Sequence, residues 1–225
     1  HTLTLVSIDK KHLGSMLVLE DISAEKRVKT TMARYMDPSV AESLLSAGAE
    51  FLGGQSLLAT VLFCDIRDFT TLTETLGPQG TVSLLNEFFT IMVDCIQREG
   101  GMLDKFIGDA IMAGFGIPMA QGDDEDRAVR AAVNMIAELN AWNQKRIVEC
   151  KIPVNIGIGV NTDTVVSGNI GSPKRMDFTM IGDGVNLASR LEGACKEYHT
   201  RILISDNTYR SLRGTYRSRE VDTLV

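Results

Sequence analysis

Two aspartates each come at the end of an apolar run, where they could bind a divalent cation. Asp65 follows residues 60–64 (TVLFC), and Asp109 lies in residues 106–112 (FIGDAIM), at the tip of an expected hairpin. Because buried strands are rigid, carboxylates held at their ends cannot easily relax, and two that meet need a cation between them. Such a pair, with open coordination positions, suits Mg²⁺ or Mn²⁺, which take their remaining ligands from substrate phosphates. The alternative is that Asp65 caps the following helix and Asp109 only forms a turn.

The elements that must hold these aspartates are an apolar strand and a hairpin. Residues 57–63 form a continuous apolar run, which is typical of a central strand buried on both faces. Residues 102–107 and 110–115 are predicted to be two strands joined by a tight turn at Gly108-Asp109. The strand end and the turn would therefore hold the two carboxylates.

Residues 81–98 predict a helix that is apolar over more than half of its girth. Two stripes of apolar side chains recur at spacings of three and four, as expected for a helix that faces a core. The first stripe consists of Val82, Leu85, Phe89, Met92 and Ile96, and the second of Leu84, Phe88, Ile91 and Cys95.

The rest of the pattern combines further strands and helices. A second long helix is predicted at 123–145, with an acidic first turn that suits the helix dipole, and a third at 183–198. Strands are predicted at 154–160, 164–170, 178–181 and 202–204, and a final helix follows them. This order predicts an α+β fold, a mixed β-sheet with helices on one face.

The first 22 residues differ from the others. They alternate loosely as two short strands around a polar turn at 9–12, and two strands cannot bury a core alone. Residues 13–27 (LGSMLVLEDISAEKR) resemble the closing strand and exit of a PAS sensor domain, and a plain hairpin with a helical linker is the alternative. We therefore expect a remnant of an upstream PAS-like domain at 1–22, a helical linker at 23–55 and the main domain at 56–225.

The composition excludes several classes of protein. The 225 residues carry 23 Lys and Arg against 29 Asp and Glu, a net charge of −6, which argues against a nucleic-acid-binding module. No apolar stretch reaches the roughly 18 residues of a membrane-spanning helix, so no membrane insertion is expected. Four dispersed cysteines, with no CxxC pair and no histidine placed to complete a zinc pattern, predict reduced thiols in a cytoplasmic protein. The chain begins with His rather than Met, which indicates a piece of a longer protein.

From about residue 56 onward, the chain resembles a class III nucleotidyl cyclase catalytic domain. Residues 62–70 (LFCDIRDFT), 106–116 (FIGDAIMAGFG) and 178–192 (FTMIGDGVNLASRLE) carry the resemblance, and residues 35–45 (YMDPSVAESLL) match the helix that commonly precedes such domains. The resemblance implies a ferredoxin-like, palm-type fold. It is greatest to the soluble, bicarbonate-responsive adenylyl cyclases of the cyanobacterial type, which form cyclic AMP and pyrophosphate from ATP.

The family's metal site falls on Asp65 and Asp109, with the main-chain carbonyl of Ile66 as a further ligand. The resemblance implies two divalent cations, Mg²⁺ or Mn²⁺, with Ca²⁺ as an alternative at one position. One would align the ribose 3′-hydroxyl for in-line attack on the α-phosphorus, and the other would neutralise the triphosphate. Family members form their sites in a head-to-tail homodimer, in which one subunit provides the aspartates and the other the remaining residues.

Five further positions match functional residues of the family. The residues that select the purine correspond to Lys105 and Thr179, the residue that orients the ribose to Asn186, and the arginine that stabilises the transition state to Arg190. A basic residue that contacts phosphate aligns with Arg201, although this correspondence is loose. Asn186 and Arg190 are one helical turn apart, so both side chains would project from one face.

Lys105 favours ATP, because an ammonium can donate to N1 of adenine, whereas guanine presents an N1–H donor there. The family's guanylyl members typically carry an acidic residue at this position. Thr179 departs from the Asp of many adenylyl cyclases, and its hydroxyl would accept from the adenine 6-amino group neutrally and less selectively. The same substitution occurs in the bicarbonate-responsive subgroup, so bicarbonate is an expected activator.

Two other functions compete with this interpretation. One is a different palm-type nucleotidyl cyclase, either a guanylyl cyclase or a diguanylate cyclase, although the GG[DE]EF-like signature of the latter is absent. The other is a non-catalytic cyclase-like domain that only binds nucleotide or regulates a partner. Such domains usually lose a metal aspartate or the Asn and Arg pair, and all four residues are present here.

Overall fold

The computed structural model describes residues 2–6, 9, 12–17, 54–172 and 174–223. Contacts divide the chain into two units, residues 1–41 and 42–225. In the first unit, strands β1 (Thr2–Val6) and β2 (His12–Leu17) pair in antiparallel fashion, which confirms the two short strands predicted there. The PAS-like assignment stays a prediction, and the predicted linker helices lie outside the described residues.

The second unit is built on a six-stranded sheet in the order β4-β5-β3-β6-β7, with β8 paired to β6. Only the β6–β8 pair is parallel, and the other pairs are antiparallel, so the sheet is mixed as predicted. The strands are β3 (Gln55–Ile66), β4 (Met102–Ile107), β5 (Ala110–Phe115), β6 (Ile156–Ser172), β7 (Arg175–Ile181) and β8 (Ile202–Ile204).

In the described part of this unit, four helices accompany the sheet. They are α1 (Phe69–Arg98), α2 (Asp124–Val148), α3 (Asp183–Ala194) and α4 (Asp206–Ser211). The first begins earlier than its apolar stripes predict, because two helices join across a kink at Gly77, whose φ of 66° breaks the helical path just before Pro78. Both predicted stripes contribute buried residues, and only the start of the first stripe, at Val82, is 59% exposed. The buried residues are Leu84, Phe88, Met92, Cys95 and Ile96.

The long helices cover one face of the sheet and α3 covers the other. Leu62 and Ile158 are buried in one hydrophobic cluster with residues of α1 and α2. Because neighbouring strand residues point to opposite faces, Gly159 faces away from this cluster, and a Cβ there would collide with the backbone of α3 at Ala188. The α+β class and the mixed sheet that the sequence predicts are confirmed. The prediction that the helices lie on one face is wrong, because α3 packs on the face opposite to α1 and α2.

The sheet curls so that its two edge strands meet. Strand β6, predicted as two strands at 154–160 and 164–170, is one continuous strand. Its residues 156–167 pair with β3, 166–172 pair with β7, and 158–160 also pair with β8. At the far edge, β7 reaches β4 and β5 on the α3 side, where a Cβ on Gly114 would lie 2.7 Å from the sulfur of Met180. The curl brings into contact residues that no local pattern connects.

Among the described residues, no helix combines the length and the apolar character needed to cross a membrane.

Candidate active site

The predicted carboxylate pair lies together at the end of β3. Asp65 is the penultimate residue of β3, and Asp109 lies in the turn between β4 and β5, beside it in the sheet. The two carboxyl groups are within hydrogen-bonding reach, and partial burial together with the neighbouring Asp65 raises the pKa of Asp109 to about 6. The N–H of Ile66 donates to Asp65 Oδ1 at 3.0 Å.

This donor set fits a divalent cation of the Mg²⁺ class. Two acidic groups held close together disfavour each other's ionised form, and a cation between them removes that penalty. In the described part of the chain, no cluster of three or more His, Cys, Asp or Glu residues could form a site supplied entirely by side chains. A cation held by Asp65 and Asp109 would therefore complete its coordination with main-chain carbonyl, water or phosphate oxygens.

Lys105 and Thr179 lie together, although 74 positions of sequence separate them. The residue that joins them is Asp104, whose carboxylate accepts a hydrogen bond from the Thr179 hydroxyl at 2.7 Å and lies 3.4 Å from Lys105 Nζ. The N–H of Met180 donates to the same carboxylate at 3.2 Å. Burial raises the pKa of Asp104, and the contacts with Thr179 and Lys105 oppose that shift. Sequence reasoning missed Asp104, and the signal available was an acidic residue within an otherwise largely apolar strand.

Asn186 and Arg190 both lie on α3 with exposed side chains, four positions apart on one side of the helix. Within the part of the chain that the structure describes, neither side chain has a hydrogen-bond or ion-pair partner. Both side chains are free to contact a ligand or a second chain. Their spacing of four residues places them on the same side of the helix, as the sequence predicted.

A second residue that sequence reasoning missed, Arg67, fixes α3 against the end of β3. Its guanidinium pairs with the Glu192 carboxylate at 2.8 Å and donates to the Glu192 carbonyl at 2.6 Å. The guanidinium fills the space where Gly157 has no side chain. Because Arg67 follows Asp65 by two residues, it couples the position of the carboxylate pair to that of the helix that carries Asn186 and Arg190.

Arg201 does not lie with the other predicted site residues. Its guanidinium donates to Asn140 Oδ1 of α2 at 3.0 Å, and α2 packs on the face of the sheet opposite to α3. The side chain is therefore directed away from α3 in this conformation, which agrees with the looseness of its correspondence in the sequence.

Comparison with known proteins identifies related domains. Residues 55–224 match the family described as the adenylate and guanylate cyclase catalytic domain. An adenylate cyclase from Anabaena cylindrica is 40% identical over 157 residues, which cover 68% of this chain and 30% of that protein. The chain thus spans less than a third of the length of this curated relative.

Solved structures with a similar fold include cyclases of both nucleotide types. The guanylyl cyclase Cya2 has a TM-score of 0.66 and 40% sequence identity, with 71% of this chain and 80% of that chain covered. The adenylyl cyclase CyaB from P. aeruginosa also has a TM-score of 0.66, at 38% identity, with 71% and 82% covered. The overall similarity to these two structures therefore does not decide between ATP and GTP. That choice depends on the residues that would surround the purine base of the nucleotide.

Proposed function

The chain belongs to the family of adenylate and guanylate cyclase catalytic domains, and on that premise we propose that it converts ATP into 3′,5′-cyclic AMP and pyrophosphate. The observation that carries the proposal is the carboxylate pair Asp65 and Asp109, held close together at a strand end, where a bound cation would offset their mutual repulsion. The choice of ATP over GTP rests on Lys105, whose ammonium matches the unprotonated N1 of adenine.

We assign the cation site to Asp65 and Asp109, with the carbonyl of Ile66 as a third protein ligand. Two divalent cations bound there, Mg²⁺ or Mn²⁺ with Ca²⁺ as an alternative at one position, would activate the ribose 3′-hydroxyl and neutralise the triphosphate. The role of the two aspartates is to fix the position of this charge, so that the hydroxyl and the α-phosphorus are aligned before reaction.

The remaining residues bind and orient ATP. Lys105 donates to adenine N1, and Thr179 accepts from the 6-amino group. Asn186 orients the ribose, and the Arg190 guanidinium stabilises charge that develops on the phosphoryl oxygens. Arg201 remains a weaker candidate for a phosphate contact, because its guanidinium must leave Asn140 to make one.

We propose that two copies of the chain form the site between them, one providing Asp65 and Asp109 and the other Lys105, Thr179, Asn186 and Arg190. The exposed positions of Asn186 and Arg190 support this arrangement, because they have no partner within the described residues of their own chain. Apolar side chains also lie exposed next to Asp109, since Phe106 and Ile107 are 45% and 50% exposed. Burial of these side chains by a second copy would exclude water from the reacting groups.

We further propose that bicarbonate stimulates the enzyme, because Thr179 stands where the bicarbonate-responsive subgroup carries threonine. The test compares the rate of cyclic AMP formation in sodium bicarbonate and in sodium chloride, with pH and ionic strength held constant. Equal rates in the two salts would remove bicarbonate from the proposal and leave the cyclase activity untouched.

The activity itself is tested by incubating the chain with ATP or GTP and either Mg²⁺ or Mn²⁺, followed by chromatographic separation of the products. We expect cyclic AMP from ATP, loss of at least about 100-fold in rate for Asp109→Ala, and an unchanged rate for Asp94→Asn, an exposed aspartate on α1. A faster reaction with GTP would instead indicate a guanylyl cyclase, as the similarity to Cya2 allows. Absence of product with either nucleotide and either metal would indicate a binding or regulatory domain.

A further inference from the structure

Strand β4 contains an irregularity that places an acidic side chain behind the proposed base site. Its pairing with β5 shifts between Leu103 and Lys105, which pair with Ala113 and Met112, so Asp104 is the extra residue of a β-bulge. In a regular strand, Asp104 and Lys105 would point to opposite faces, whereas a bulge re-aims the side chains beside it. The carboxylate is therefore able to approach its neighbour's ammonium.

The Asp104 side chain is fully buried, with 0% of it exposed, and its carboxylate lies near three donor groups. Oδ2 accepts from the Thr179 hydroxyl at 2.7 Å and from the Met180 N–H at 3.2 Å. Oδ1 lies 3.4 Å from Lys105 Nζ and has no hydrogen-bond partner among the described residues. A buried carboxylate is unfavourable unless it is paired, so this one is expected to have a purpose beyond packing.

A threonine hydroxyl is both a donor and an acceptor, and alone it cannot distinguish a 6-amino group from a 6-oxo group. A carboxylate, in contrast, only accepts. A hydroxyl that donates its single proton to Asp104 has only lone pairs left for a ligand. It would then attract the 6-amino group of adenine and repel the 6-oxo group of guanine.

We propose that Asp104 is a positioning residue that determines the choice of base. It accepts the one hydrogen bond that the Thr179 hydroxyl can donate, and it holds the Lys105 ammonium beside that hydroxyl. Given the proposed cyclase activity, on which this inference rests, Asp104 makes a neutral threonine behave as the obligate acceptor that an aspartate would be at the same position. Asp104 is both the extra residue of the bulge in β4 and a residue through which β4 contacts β7.

The first experiment compares kcat/KM for ATP and GTP in the wild type and in Asp104→Asn, which preserves shape but can donate as well as accept. Since one neutral hydrogen bond is involved, we expect the ATP-to-GTP ratio to fall by about 3- to 10-fold in D104N. The matched control Asp94→Asn, exposed on α1, should leave the ratio unchanged. An unchanged ratio in D104N, with the wild type active, would overturn the inference while the proposed function stands.

The second experiment isolates the contact with the 6-amino group by using purine riboside triphosphate, which lacks any 6-substituent but keeps N1. The wild type should prefer ATP over this analogue by about 3- to 10-fold, and both Thr179→Val and D104N should reduce that preference toward unity. The double variant should be no worse than either single variant, because both remove the same contact. Additive losses would show that Asp104 acts by another route and would contradict the inference.

Binding measurements separate selectivity from general damage to the site. Calorimetric titration with the α,β-methylene analogues of ATP and GTP should show the same change of preference, without turnover. If D104N unfolds below the assay temperature, Asp104→Ser is the second variant. Its hydroxyl also both donates and accepts, so we expect the same loss of preference for ATP over GTP. Asp104→Glu, which keeps a pure acceptor, should retain more of the preference than either, and failure of this rescue would count against the acceptor role.

Discussion

The close placement of the Asp65 and Asp109 carboxyl groups at the end of β3 is unfavourable for the stability of the folded chain. Asp65 and Asp109 lie close enough for partial burial and mutual repulsion to raise the pKa of Asp109 to about 6. Arrangements of this kind are concentrated at functional sites, because packing alone would not select them. The adjacent contacts of Arg67 with Glu192 tie the end of β3, which carries Asp65, to α3.

The first prediction concerns the cation. A ligand that binds only the folded state at about a hundredfold its Kd adds about 2.7 kcal/mol of stability, which corresponds to a rise of roughly 5–10 °C in melting temperature. We expect Mg²⁺ or Mn²⁺ to raise the melting temperature of the wild type in this way, and to leave that of Asp109→Asn nearly unchanged. Without cation, D109N should melt at or above the wild-type temperature, because one of two repelling groups is gone.

Differential scanning fluorimetry with and without cation measures both effects, and Asp94→Asn serves as the control that keeps the cation response. An equal cation-dependent rise in D109N would mean that the cation binds elsewhere.

Helix α3 carries Asn186 and Arg190, and its position depends on two glycines of β6. Gly159 lets the backbone of α3 approach the sheet, since a Cβ there would collide with main-chain atoms of Ala188 and Glu192. Gly157 leaves room for the guanidinium that pairs with Glu192. Strand glycines of this kind mark a close approach of another backbone.

The second prediction compares two glycine substitutions at this interface. Gly159→Ala should reduce the free energy of unfolding by about 3 kcal/mol or more, because only backbone could move to make room. Gly193→Ala, on α3 itself, adds a methyl group that meets nothing within 4 Å and should stabilise by about 0.5–1 kcal/mol. Urea denaturation measures both changes. If the two variants unfold alike, the packing of α3 on Gly159 is not what holds the helix.

The third prediction concerns the segment that follows α4. Asp126 in the first turn of α2 accepts from the N–H groups of Arg213 and Gly214, each at 2.9 Å, and from the Tyr216 hydroxyl at 2.8 Å. Burial alone would raise the pKa of Asp126, but these hydrogen bonds lower it overall. Asp126→Asn should cost about 1–3 kcal/mol at neutral pH, because an amide cannot accept from all three donors.

The pH dependence of that cost follows from the lowered pKa. A carboxyl group whose pKa is lower in the folded state stabilises the protein above its unfolded pKa of 3.8, and this contribution is lost as the pH falls through the folded value. The stability difference between wild type and D126N should therefore be constant above about pH 5 and shrink below 3.8. Glu125→Gln in the same turn controls for the helix dipole, and a difference that persists at low pH would contradict the assignment.

The second unit presents its proposed catalytic groups on exposed surfaces. Asn186 and Arg190 are exposed, and the apolar residues Phe106 and Ile107 lie exposed beside Asp109. A symmetric dimer would contain two sites, each built from both chains, and a closed two-fold arrangement is the commonest way to satisfy such surfaces.

The fourth prediction tests whether sites are shared. Asp65→Ala and Arg190→Ala should each be inactive alone, and mixing them in equal amounts should restore about one quarter of wild-type activity. Half of the randomly formed dimers are mixed, and each contains one intact site of two. Mixing Asp65→Ala with Asp109→Ala is the matched control, because both sites of that mixed dimer lack a metal ligand, so no activity should return. Recovery in the control, or none in the test, would exclude the shared arrangement.

The sequence by itself determined the features that depend on short-range pattern. The strands at 102–107 and 110–115 were predicted with their observed limits, because alternation and a Gly-Asp turn are local signals. The carboxylate pair was predicted from the same kind of signal, since a strand end and a tight turn fix where a side chain lies, whereas Asn186 and Arg190 were identified from the family resemblance. The order of strands and helices predicted the α+β class and the mixed sheet, and the segments that resemble the cyclase family indicated the palm-type fold.

The tertiary structure alone decided how distant segments meet. The contact between Asp104 and Thr179 spans 75 positions and depends on the curl of the whole sheet, which no alternation pattern encodes. The placement of α3 opposite to α1 and α2 depends on the missing side chain of Gly159, and the direction of Arg201 on its bond to Asn140. Local periodicity reports which residues are buried, but packing between elements decides which partner a buried polar group meets, and that packing brought Asp104 against Thr179 and Lys105.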